Sequence, residues 1–90
     1  MKIELIFDYY SKIINIPDFY TDDILALQEK FLVWASEQKE CVSFYNGHIA
    51  LSYDADDFLK FINVEILKNR NFKAYFITDK KEQNNISIRF

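Results

Sequence analysis

The chain reads as an α+β domain of ferredoxin-like type, a βαββαβ order with one added C-terminal strand, in which two helices cover one face of an antiparallel sheet. Three observations predict this. Two stretches carry apolar residues at helical spacing, and each opens on a cluster of aspartates. The other apolar stretches alternate with the period of strands, and Asn46-Gly47 marks a tight hairpin between two of them. At 90 residues there is room for a single domain spanning 1–90 with one core.

Lys2 to Phe7 sets Ile3, Leu5 and Phe7 against Lys2, Glu4 and Ile6, the pattern of a half-buried first strand. From Asp8 to Tyr20 two readings stay open: Ile13, Ile14 and Ile16 fit a helical turn or a continued strand, and Pro17 forces a break. Thr21 suits a helix cap, Asp22 and Asp23 suit the positive end of the dipole, and Tyr20 and Leu25 are spaced as a hydrophobic staple. Ile24, Leu27, Phe31, Trp34 and Ala35 then share one face of a helix running to about Gln38.

Asn and Gly accept the positive φ values of a two-residue type I′ turn, so Cys41 to Tyr45 and His48 to Tyr53 pair as a hairpin. Its predicted register sets Tyr45 opposite His48, Phe44 opposite Ile49, Ser43 opposite Ala50 and Val42 opposite Leu51. Val42, Phe44, Ile49, Leu51 and Tyr53 fall on the side expected to meet the core. Asp54 caps the second helix, with Asp56 and Asp57 in its first turn and Tyr53 and Phe58 as a second staple. Phe58, Leu59, Phe61, Ile62 and Ile66 form its apolar face, and it is expected to end near Lys68 to Asn71. Val33, Val64 and Leu67 fall off the helical core faces. Phe72 to Asp79 and Asn85 to Phe90 alternate as two last strands joined by the polar loop Lys80 to Asn84. In the ferredoxin-like arrangement the first strand is central, between the third and the fourth, and the second and fifth are the edges.

Composition narrows function. Average usage would give roughly six glycines; this chain has one Gly and one Pro, which excludes Gly-rich phosphate loops and leaves no motif for a nucleotide cofactor. A lone Cys forms no internal disulfide, and no apolar run approaches the roughly 20 residues of a membrane span, so a cytoplasmic protein without a membrane partner is expected. Eleven basic and 14 acidic residues supply no field for phosphate, which makes nucleic acid an improbable partner. Heavy use of Ile, Phe, Tyr, Asn and Lys suggests an AT-rich genome, such as that of a mobile element.

Capping and dipole pairing explain Asp18, Asp22, Asp23, Asp54, Asp56 and Asp57 more simply than metal binding, because their spacing lacks the alternation and the central Gly of a calcium loop. Cys41 and His48 would lie roughly 13 Å apart along the hairpin at about 3.3 Å per residue, too far for a nucleophile and its base. What remains is the uncovered sheet face. There Ile6, Tyr45, Tyr75 and Ile77 are expected as anchors, with Ala50 among them, and His48, Lys73, Arg89, Glu4 and Ser52 as a polar rim. The reading is a non-enzymatic protein-interaction module, a small inhibitor or regulator that forms a homodimer or occludes another protein, with no cofactor, metal or small-molecule ligand. The alternative is a Mg²⁺-dependent enzyme acting on phosphodiesters through Asp8 and nearby aspartates.

Overall fold

The computed structural model describes residues 2–16, 24–68, 71–78 and 86–90. Pro17, Asp18, Tyr20, Thr21, Asp22, Asp23, Arg70 and the loop Lys80 to Asn84, each assigned a role from the sequence, lie outside the described residues. The protein is α+β: β1 (Lys2–Ile6), β2 (Ser11–Asn15), α1 (Ile24–Ser36), β3 (Val42–Tyr45), β4 (His48–Leu51), α2 (Ala55–Phe61), β5 (Tyr75–Ile77) and β6 (Ser87–Arg89).

β1 and β2 form a hairpin closed by the turn Phe7 to Tyr10, in which the Tyr10 carbonyl accepts the Phe7 amide at 2.8 Å. Of the two readings of Asp8 to Tyr20, the described part therefore takes the strand at Ser11–Asn15. A four-stranded mixed sheet results, ordered β5-β2-β1-β6, with β6 parallel to β1 and the other pairs antiparallel. Directly paired residues share a face, so Ile3, Leu5, Ile14, Phe76 and Ile88 point one way and Glu4, Ile6, Ile13, Tyr75, Ile77 and Arg89 the other. The first set joins Leu27, Phe31 and Ala35 of α1 and Phe58 and Phe61 of α2 in one core.

Phe31 is the hub of that core. Its ring meets those of Trp34, Tyr53, Phe58, Phe61 and Phe90, mostly edge to face, with centroids 5.0 to 6.2 Å apart. Tyr53 and Phe58, spaced as a staple, both reach Phe31. Phe90 also stacks on Phe7, which stacks on Tyr10, so the rings link the first turn, both helices and the last strand. The Tyr10 hydroxyl accepts the Ala55 amide at 3.1 Å, tying that turn to the start of α2.

Asp54 caps α2 as expected: its carboxylate accepts the Asp57 amide while the Asp57 carboxylate accepts the Asp54 amide, both at 3.0 Å. Beyond Phe61 the helix widens into a π-turn over Ile62–Ile66, with the Leu67 amide donating to the Ile62 carbonyl at 2.8 Å. The reason is hydrophobic phase. Continued α-helical spacing from Phe58 and Ile62 would bring Glu65 toward the core and turn Leu67 away. The five-residue step leaves Glu65 exposed and buries Leu67 completely. Val33 and Val64 are exposed, as their helical phase implies. After the turn, the Asn63 carboxamide accepts the Ala74 amide at 2.7 Å and donates to the Ala74 carbonyl at 3.0 Å, imitating a strand partner at the start of β5.

Two departures from the expected topology follow. The last two strands do not form a hairpin: β5 lies beside β2 at one edge and β6 beside β1 at the other. The β3–β4 hairpin, expected inside the sheet, forms a separate two-stranded sheet. β2 and β6 take the two places beside β1 that the ferredoxin-like order assigns to the third and fourth strands. That order is not the one observed.

Candidate functional site

The β3–β4 ribbon is built as its sequence dictates. Asn46 adopts φ 49° and Gly47 φ 79°, the left-handed pair a type I′ turn requires. All four predicted cross-strand pairs form, from Tyr45–His48 to Val42–Leu51. The ladder continues one step further, where the Ser52 amide donates to the Cys41 carbonyl at 2.7 Å. Hydrogen-bonded and open pairs alternate in such a ladder, so Cys41–Ser52, Ser43–Ala50 and Tyr45–His48 are bonded pairs. The backbone groups of Val42, Phe44, Ile49 and Leu51 therefore point outward from the ribbon.

The side chains differ sharply from expectation. Alternation points Val42, Phe44, Ile49 and Leu51 at the core, yet Phe44 is 77% and Ile49 70% exposed, Leu51 is exposed and Val42 is half-buried. Only Cys41, at the base, is buried. On the opposite face Tyr45 is 74% exposed beside the exposed His48. Alternation correctly separated the two faces, but neither is covered by another element's strand. Residues 41–53 contain no Asp, Glu, Lys or Arg, although 28% of the chain is charged. That uncharged run was the available signal that both faces of the hairpin differ from an ordinary solvated ribbon.

The predicted interaction residues divide accordingly. Ile6, Tyr75, Ile77 and Arg89 share the outer face of the four-stranded sheet with Glu4, as expected. Tyr45 and His48 do not join them, nor do Ala50 and Ser52, because their hairpin lies outside that sheet. Lys73 is exposed just before β5. The outer face is partly closed by its own side chains: Ile6 and Ile77 are half-buried, Ile13 between them is buried, and the Tyr75 hydroxyl accepts the Asn15 amide group at 3.3 Å. It offers less apolar surface than the ribbon.

Cys41 and His48 stand at opposite ends of the ribbon, and burial, then the nearby carboxylates of Asp57, Glu40 and Asp54, raise the Cys41 thiol above its ordinary 9.0. A thiol held protonated in this way is a poor nucleophile. Burial also raises the Asp57 carboxyl above 3.8, against the lowering effect of the Asp54 amide it accepts. Asp8 is exposed in the β1–β2 turn, and among the described residues no three His, Cys, Asp or Glu side chains converge on a metal position. Among the described residues, too, no helix is long and apolar enough to cross a membrane. Comparison of the chain with protein-family models, with curated proteins and with solved structures found no match.

Proposed function

We propose that the protein is a non-enzymatic interaction module whose contact element is the β3–β4 hairpin, acting by occupying the surface of a protein partner. The observation that supports this reading is a ribbon of apolar and aromatic side chains, free of formal charge, held away from the sheet that organises the rest of the chain. Exposed apolar groups gathered on one element are characteristic of protein contact surfaces, and aromatic residues contribute most per side chain at such contacts. Phe44 and Tyr45 serve as anchors on opposite faces, with His48, Ser43 and Ser52 as polar surroundings. The outer sheet face, with Tyr75, Ile6 and Ile77 bordered by Lys73, Arg89 and Glu4, is a secondary surface. A cytoplasmic regulator or inhibitor of mobile-element origin fits this reading.

Affinity capture from native cells tests it, comparing the wild-type chain with Phe44→Lys and Tyr45→Lys variants whose melting temperatures are unchanged. A stoichiometric protein held by the wild type and lost from both variants supports the proposal. Identical capture by all three removes the hairpin from the contact.

A further inference from the structure

We infer that the occupant of the exposed β4 edge is a second copy of this chain, the two β4 strands pairing antiparallel about Ala50 in a two-fold dimer; this rests on the hairpin being the contact element. β4 is exposed along its whole length and, among the described residues, has no strand neighbour besides β3. The backbone groups of Ile49 and Leu51 point outward, so among the described residues they form a row of donors and acceptors with no strand opposite. Soluble proteins guard such edges with lysines, prolines or bulges, and β4 (His48, Ile49, Ala50, Leu51) has none of these.

The β3 edge is less available, since the Val42 amide donates to the Lys39 carbonyl at 3.4 Å and the Val42 side chain is half-buried. Antiparallel pairing of β4 with itself around Ala50 sets Ile49 opposite Leu51 of the second copy twice, and His48 opposite Ser52 twice. Apolar meets apolar and polar meets polar. Because the outward groups belong to Ile49 and Leu51, the pairs that meet are also those able to exchange hydrogen bonds.

Charge favours a second copy over a partner of opposite sign. The chain carries a net charge of -3, so two copies repel overall, but residues 41–53 bring no formal charge into the contact. A strongly basic or acidic surface would find no ion pair along β4 and would lose hydration against Ile49 and Leu51. The contact is small: one pair of four-residue strands places it in the transient class, below about 1,200 Å² in total. The dimer is therefore reversible and concentration-dependent.

Sedimentation equilibrium from about 5 to 500 µM, a range suited to transient contacts of this size, reads the proposal directly. The wild type is expected to rise from 10.8 kDa toward twice that mass. Ile49→Pro removes one outward amide while leaving the bonds to β3, and is expected to weaken association by about tenfold or more. The double variant Ile49→Lys with Leu51→Lys, which sets lysines against lysines across the axis, gives the same outcome without a backbone change. Val33→Lys, on the exposed side of α1 and outside the hairpin, makes the same apolar-to-charged change and leaves the dimer intact. A wild type that stays at 10.8 kDa throughout overturns self-pairing but not the hairpin's role, which the capture experiment tests separately. Dissociation by Val33→Lys overturns the β4 edge as the contact.

Discussion

Two protonated side chains, Cys41 in the core and the half-buried Tyr53 packed against it, link the fold to alkaline pH. Burial raises both, the thiol above 9.0 and the phenol above 10.0. Below pH 9 neither group distinguishes the folded from the unfolded chain. As pH rises further, the unfolded chain ionises first, so stability is lost through the window from 9.0 upward, with the Tyr53 contribution beginning at 10.0. Urea denaturation between pH 8 and 11 is expected to show this fall, and Cys41→Ala to make it shallower near its start; an equal slope in the variant would contradict the assignment. Asp57 follows the same sign in an acid window, its contribution being fully present below 3.8 and lost as pH rises past it. Its raised carboxyl favours the folded state below 3.8, so this capping residue is not a source of acid lability. Leu27, Phe31, Ala35, Phe58 and Phe61 were legible as core from their spacing alone, because helical phase is a local property. Phe44 and Ile49 were misplaced because alternation states that two faces differ and not which of them is covered.

Within the elements, the turn chemistry and the caps were the most readable features. Asn46-Gly47 determined a register correct in all four pairs, and Asp54 with Asp57 formed the expected reciprocal cap. The helix end was hidden, since no propensity announces a change from four- to five-residue spacing. Only the misfit of Leu67 with the α-helical phase pointed to it. This makes an unusual prediction for a helix interior. Deleting Glu65 places Leu67 four residues after Ile62, so the π-turn relaxes to ordinary α-helix with the same side chain in the core. The deletion is expected to fold with a melting temperature close to the wild type. Deleting Asn63 instead also removes the two hydrogen bonds to Ala74, at roughly 1 kcal/mol each. Equal damage from both deletions in thermal melts would show that the widened turn is not a matter of phase.

For the whole molecule, the alternation of each strand identified its inner face but not its neighbour. Ile86, Ile88 and Phe90 would serve equally well beside β5 or beside β1, and the short polar loop before them suggested the former. The preference for β1 rests on contacts distant in the chain: Phe90 reaches Phe7, Phe31, Tyr53 and Phe58, and the Gln28 carboxamide donates to the Arg89 carbonyl at 3.0 Å. The radius of gyration, 13.7 Å against about 12 Å for a compact chain of this length, agrees with a hairpin standing off the main sheet. The parallel pairing of β1 with β6 also sets the order of events in time. Glu4 and Ser87 can meet only by closing almost the full length of the chain, an entropic cost best met after the β1–β2 hairpin and the helices have collapsed around Phe31. Docking of β6 is therefore expected as the last step, on the native side of the folding barrier. Ile88→Ala is expected to accelerate unfolding while leaving the refolding rate nearly unchanged, and a slowed refolding limb in stopped-flow measurements would place that closure earlier.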